Sequence, residues 1–261
     1  MKIMGILNVT PDSFSDGGHY TDVDKAVEHA IGMVRDGADV IDVGGESTRP
    51  GAKPISLEEE LSRVIPVIEK LSKKIDVPIS IDTYKAEVAR QAVEAGATII
   101  NDVWAGKKDQ DMYRVMGNSN TSVILMHNRV STMENDDAEN ILEEVMDELK
   151  DVIQLAIEAG VKKKNIIIDP GIGFAKTLSQ NIEIIKNIDE LKKLGYPVLL
   201  AASKKRTIRG LSQTEELSRL GAGTLATTCY AYTKGVDFVR VHDVAENKIA
   251  ITVLKNLTEV R

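Results

Sequence analysis

One cysteine, one tryptophan and three phenylalanines occur in 261 residues, and aromatics make up only 4% of the chain. A lone Cys229 excludes an intrachain disulfide framework and a cysteine-based zinc cluster. It sits in the apolar run Leu225–Tyr232 and reads as a buried, inert thiol. With so few rings, Ile, Val, Leu and Ala must fill the core. Basic residues are outnumbered, 33 against 40 acidic, for a net charge of −7. That balance argues against a nucleic-acid binder, which would present a basic face, but leaves room for an anion in a locally positive site. No apolar run approaches the ~20 residues of a membrane span. The N-terminus shows no basic segment followed by an apolar core and cleavage site, so a cytoplasmic protein is expected. No Gly-x-Gly-x-x-Gly joins a strand to a helix, which weakens a dinucleotide-binding reading.

What is present is an alternation repeated eight times. β-rich runs at Ile3–Leu7, Asp39–Val43, Pro78–Ile81, Thr98–Asn101, Ser122–Met126, Asn165–Ile168, Pro197–Ala201 and Asp237–Val241 read as strands. Longer amphipathic runs separate them, at about Val23–Asp36, Leu57–Lys73, Lys85–Glu94, Gln110–Met116, Ala138–Ala159, Gln180–Leu194, Glu215–Lys234 and Ala245–Leu257. Gly37, Gly96, Gly160 and Gly235 stand where a helix C-terminus wants a left-handed residue. Strict alternation means a parallel sheet, and eight units point to a closed (β/α)8 barrel in one domain spanning 1–261.

In such a barrel the chemistry gathers at the C-terminal ends of the strands. Those ends carry Asn8, the segment Gly44–Gly51, Asp82, Asn101, His127, Asp169, Ser203–Lys205, and Arg240 with His242. Taken singly, an aspartate there caps a helix, a histidine is structural and a lysine pair is a solvated face. Eight strands aiming polar groups at one rim make a site. The residue types sort into two chemistries. Asp82, Asn101, Asp169 and Lys205 suit a planar, amide-rich heterocycle, because a carboxylate accepts two parallel N–H bonds and Asn both donates and accepts. Arg240, His242, Asn8, Thr48 and Arg49 are phosphate- or carboxylate-binding types. The amide oxygen of Asn8 could also ligate a hard ion such as Mg²⁺. The first strand runs into a polar loop around Phe14, longer than the ~2–6 residues a simple connection needs.

Met4-Gly-Ile-Leu-Asn-Val-Thr-Pro-Asp-Ser-Phe-Ser-Asp-Gly-Gly18 resembles the first motif of the dihydropteroate synthase family. Gly44-Gly-Glu-Ser-Thr-Arg-Pro-Gly51 resembles the second, and Asp169-Pro-Gly-Ile-Gly-Phe174 and Arg240-Val-His-Asp243 match further ones. The resemblance implies a pterin-binding barrel that joins 6-hydroxymethyl-7,8-dihydropterin diphosphate to 4-aminobenzoate in folate biosynthesis. It implies catalytic roles for Asp82, Lys205 and Arg240. It places the pterin on Asp82, Asn101, Asp169 and Lys205, packed by Met126 and Phe174. It places the diphosphate and Mg²⁺ near Asn8, Thr48, Arg49, Arg240 and His242. It lines the aminobenzoate pocket with Phe14, Thr48, Pro50, Ser203 and Lys204. It further implies a homodimer and sulfonamide inhibition. The family's usual Ser-Arg-Lys after the seventh strand is Ser203-Lys204-Lys205 here; a lysine cannot stack on a ring as a guanidinium does.

Overall fold

Alternate residues of a strand face opposite sides, and in this chain the two sides separate cleanly. A computed structural model describes residues 1–10, 19–47, 52–129, 140–214 and 216–258. Its strands are β1 (Lys2–Asn8), β2 (Val40–Gly44), β3 (Ile79–Asp82), β4 (Ile99–Asp102), β5 (Ser122–Met126), β6 (Ile166–Asp169), β7 (Leu199–Leu200) and β8 (Phe238–Val241). They pair in parallel in the order β6-β5-β4-β3-β2-β1-β8-β7. A parallel bridge between Ile168 and Val198 joins the two ends of the sheet and closes the barrel. Among the described residues the helices are α1 (His19–Arg35), α2 (Leu57–Leu71), α3 (Ala86–Ala95), α4 (Met112–Ser119), α5 (Ile141–Glu158), α6 (Leu178–Lys186), α7 (Arg206–Ser212), α8 (Leu220–Thr233) and α9 (Val244–Thr258). The eightfold alternation expected of the sequence is the observed architecture. No helix among the described residues is long and apolar enough to cross a membrane.

Met4, Val40, Ile99, Ile124, Ile167, Leu199 and Ala201 form one buried cluster that plugs the barrel. The residues of opposite parity, such as Ile3, Leu7, Ile41, Val43, Ile81, Ile100, Leu125 and Ile168, pack outward against the helices. Each such aliphatic side chain contributes roughly 1.5–3 kcal/mol on burial, and the second cluster carries most of the core. Helix ends obey local chemistry. Ser56 caps α2 by accepting from Glu59 N. Gly96 ends α3 at φ +119°, where its N–H reaches Ala92 and Val93 carbonyls.

Two helices differ from expectation. The run Gln180–Leu194 breaks at Asn187, whose side chain bonds the Glu183 carbonyl and carboxylate, and continues as a 3-10 segment over Ile188–Leu194. The helix expected from Glu215 starts as α-helix at Leu220, and the short α7 precedes it. Cys229 is half-buried rather than buried.

Candidate functional site

The inward parity that packs the barrel's lower layers turns polar at the C-terminal end. Asn8, Gly44, Asp82 and Asn101 stand abreast in the strand register. Gly44 has no side chain to fill the space beside Asp82. One step lower on β2, Asp42 is fully buried.

Arg240, reaching up from β8, joins the ring together. Its Nε donates to Asp42 Oδ2 at 2.5 Å and its Nη2 to Asp82 Oδ2 at 2.5 Å. Asn101 Nδ2 lies 3.3 Å from Asp42 Oδ2. The guanidinium therefore sits between two carboxylates, and its pKa is raised: burial opposes the charge, but Asp42 and Asp82 outweigh it. Asp82 Oδ1 is buried without a hydrogen-bond partner among the described residues. Burial pushes the Asp82 carboxyl up to about 7; Arg240 opposes the shift, while Asp42 and Glu60 add to it. Asp169, at the end of β6, accepts from Gly171 N at 2.7 Å, and burial raises its pKa despite Lys205. Lys205 donates to the Ile172 carbonyl at 2.8 Å and lies 4.6 Å from the centre of the Phe174 ring. Burial lowers its pKa to about 8, with Asp169 resisting. The fields of Asp82, Asp169, Lys205 and Arg240 thus act on one another within one buried space. Perturbed, mutually facing acids and bases of this kind mark a functional site.

The structure brings Asp82, Asn101, Arg240, Asp169, Lys205 and Phe174 together, with Met126 buried at the end of β5. Asn8 is half-buried at the end of β1. Ser203 Oγ pairs with His242 Nδ1 at 2.9 Å and accepts from His242 N at 3.2 Å. Lys204 adopts φ +55° and turns its ammonium onto Asp243 at 2.7 Å. Phe14, Thr48, Arg49 and Pro50 lie outside the described residues.

Asp42 lies inside a strand, two residues before its C-terminal end, and is not among the strand-end residues. The signal for it is an ionisable residue interrupting the run Val40-Ile-Asp-Val-Gly44 at the parity of Asp82 and Arg240. A second network also escapes the sequence. Lys85 Nζ bonds Glu46 and Glu60, each at 2.5 Å, and Tyr84 Oη reaches Glu46 at 3.0 Å. Arg63 Nη1 holds the Gly45 carbonyl at 2.7 Å. This network seats the chain leaving β2 on α2 and on the loop after β3.

Mg²⁺ takes oxygen ligands, keeps several waters and shares substrate phosphate oxygens. A single amide oxygen on Asn8, abreast of Asp82 across Gly44, fits an ion held in that open manner. The trio His127, Glu144 and Glu148 has ligand atoms within 4.8 Å of one another. Its carboxylates are already neutralised, Glu144 by Arg129 and Glu148 by Lys107. Burial drives the His127 pKa down to about 2.

A family model described as pterin binding enzyme matches residues 4–242. A dihydropteroate synthase of Clostridium beijerinckii is 53% identical over 249 residues, covering 95% of this chain and 91% of that protein. A dihydropteroate synthase of Clostridium difficile, solved in the presence of pteroic acid, superposes with a TM-score of 0.93 at 49% identity, covering 100% of this chain and 97% of that one. The Xanthomonas albilineans enzyme, solved with 4-aminobenzoic acid, gives 0.94 at 43% identity, covering 100% and 94%. The chain belongs to the pterin-binding enzyme family, among its dihydropteroate synthases.

Proposed function

We propose that this chain condenses 6-hydroxymethyl-7,8-dihydropterin diphosphate with 4-aminobenzoate, releasing 7,8-dihydropteroate and diphosphate. The observation that carries the reading is the ring at the barrel mouth in which the buried Asp42, Asp82, Asn101 and Asp169 meet the half-buried Lys205 and Arg240. A flat ring bearing N–H groups and carbonyls can meet an acceptor or donor on each side of this space. Asp82, Asn101, Asp169 and Lys205 hold the pterin, between the Phe174 and Met126 side chains. Arg240, His242 and Asn8 face the diphosphate with Thr48 and Arg49. Phe14, Thr48, Pro50, Ser203 and Lys204 line the aminobenzoate side.

The weak aryl-amine nucleophile calls for a cation-like pterin methylene. When the C–O bond to diphosphate breaks, its electron pair leaves with the diphosphate oxygen; the amine nitrogen lone pair then forms the C–N bond, and the nitrogen gives up one proton to the released diphosphate or to solvent. The ionised Asp82, fixed by Arg240, stabilises the positive charge left behind. Arg240 is itself held by Asp42, so the site is organised before the reaction begins. Asn8 would hold Mg²⁺ through its amide oxygen, and the ion would supply charge neutralisation for the diphosphate. A sulfonamide, as an aminobenzoate mimic, should compete at the same subsite.

A homodimer completes the proposal. Ile249, Val253 and Leu257, four residues apart on α9, are 65%, 50% and 76% exposed, a stripe that a second copy would cover; sedimentation equilibrium tests it. Diphosphate release dependent on both substrates tests the function. Turnover that requires each, and that a sulfonamide inhibits competitively against 4-aminobenzoate, is expected. A folded sample that releases diphosphate without 4-aminobenzoate, or not at all, refutes it.

A further inference from the structure

Lys176 is a buried cation to which the proposed chemistry gives no task. It is 7% exposed. Its Nζ donates to three main-chain oxygens: Gly171 at 3.0 Å, Phe174 at 3.2 Å and His127 at 3.5 Å. Burial brings its pKa down to about 7, with Asp169 resisting. Burying an ammonium is costly, so the site needs a reason to hold one there.

The loop between β6 and α6 supplies it. Within five residues the backbone is left-handed at Gly171 (φ +69°), Gly173 (φ +83°) and Ala175 (φ +44°). Ala175 lacks the freedom of glycine and is strained. Gly171 admits no side chain, because a Cβ there would lie 2.0 Å from the His127 oxygen. This path converges the Gly171 and Phe174 carbonyls on one point, and the Lys176 ammonium occupies it. Lys205 grips the same loop from the site side through Ile172 and the Phe174 ring. Asn181 Oδ1 accepts from Gly173 N at 2.7 Å, and its Nδ2 returns to the Lys176 and Thr177 carbonyls. A capping box between Thr177 and Gln180 fixes the chain just beyond Lys176. The loop's shape in turn sets Asp169, through its bond from Gly171 N, and the Phe174 ring over Lys205.

We propose that Lys176 is a positioning residue of the heterocycle site: by gathering the His127, Gly171 and Phe174 carbonyls it holds Asp169 and Phe174 where the ring binds. This rests on the pterin reading of that site. The interaction is made to ground state and transition state alike, so its loss should appear in affinity for the pterin substrate rather than in the chemical step.

Full-length Lys176→Met and Lys176→Arg are compared with the parent by varying each substrate in turn, with hydrogen exchange monitored over residues 169–176. For Lys176→Met, KM for the pterin diphosphate should rise about tenfold, the equivalent of one charge-assisted hydrogen bond. KM for 4-aminobenzoate and kcat should stay within about threefold. Exchange of the Gly171–Ala175 amides should quicken. Lys176→Arg, which keeps charge and donors, should recover most of the pterin affinity. Unchanged pterin KM in Lys176→Met, or a fall in kcat with both KM values unchanged, overturns the proposal. If Lys176→Met does not fold, Lys176→Gln, which keeps one amide donor, is judged by the same criteria. A parent that makes no dihydropteroate sinks the functional reading. Equilibrium dialysis with 6-hydroxymethylpterin and the exchange rates then decide the role of Lys176, parent-like values in the variant overturning it.

Discussion

Asp82→Asn should make the protein more stable at neutral pH while abolishing turnover. The native carboxyl is raised from an ordinary 3.8 to about 7, chiefly by burial, with Arg240 opposing and Asp42 adding. Between those two values the folded state holds a proton that the unfolded state has released. Stability attributable to Asp82 is therefore fully present below pH 3.8 and is lost as pH rises through about 7. An amide cannot ionise. It resembles the protonated acid in shape: its oxygen can keep the bond from Arg240 Nη2, and its nitrogen takes the place of Oδ1, which has no partner among the described residues. The stability of the variant relative to the parent should thus grow by about 1.4 kcal/mol per pH unit across the window, reaching on the order of 2–4 kcal/mol, and level off above it. Urea unfolding at half-unit steps from pH 4 to pH 8.5 measures the difference directly. Turnover should fall because the amide cannot stabilise a cationic methylene. A difference that stays flat with pH, or a variant less stable than the parent at pH 8, would falsify the idea that Asp82 is ionised at a cost to the fold.

Arg240→Met leaves Asp42 and Asp82 facing each other in a buried space, and should cost about 3–5 kcal/mol in urea unfolding, as for other broken buried pairs. Lys85→Met strands Glu60, which is 1% exposed, beside Glu46; a double-mutant cycle with Glu60→Gln should show recovery of at least about 1 kcal/mol, and strict additivity would deny the coupling. Gly117→Ala would set a Cβ 1.8 Å from the Ala159 carbonyl oxygen, where α4 meets the end of α5. Neither backbone can yield easily, so a thermal-unfolding midpoint within a few degrees of the parent's would contradict that packing; a loss above about 3 kcal/mol is expected.

Much of this was legible in the chain because period and punctuation are local. Glycines 37, 96, 160 and 235 mark helix ends, and each takes positive φ for the reason the sequence implies. Ser122–Met126 has the same limits in sequence and structure. The departures have two origins, a local side-chain competition in one helix and tertiary packing in another. Gln180–Leu194 has continuous helical periodicity, yet the Asn187 side chain competes for the Glu183 carbonyl and the helix tightens. No helix is expected between the strand Pro197–Ala201 and the run from Glu215, yet Arg206 begins one whose Thr207 and Ile208 are buried.

The sequence by itself determined the eightfold alternation, the parallel barrel and the family, since hydrophobic period, turn chemistry and long motifs are all written along the chain. It also named most of the polar groups at the rim. Only the tertiary structure decided their partners. Arg240 reads as an anion binder, but folding sets it between Asp42 and Asp82, 198 and 158 residues away in sequence. Nothing along the chain marks Lys176, yet folding sets its ammonium among three main-chain oxygens. The physical reason is the same in both cases: whether a charge is solvated or paired depends on which segments the closed sheet brings within a few ångströms, and water is excluded only once the barrel has formed.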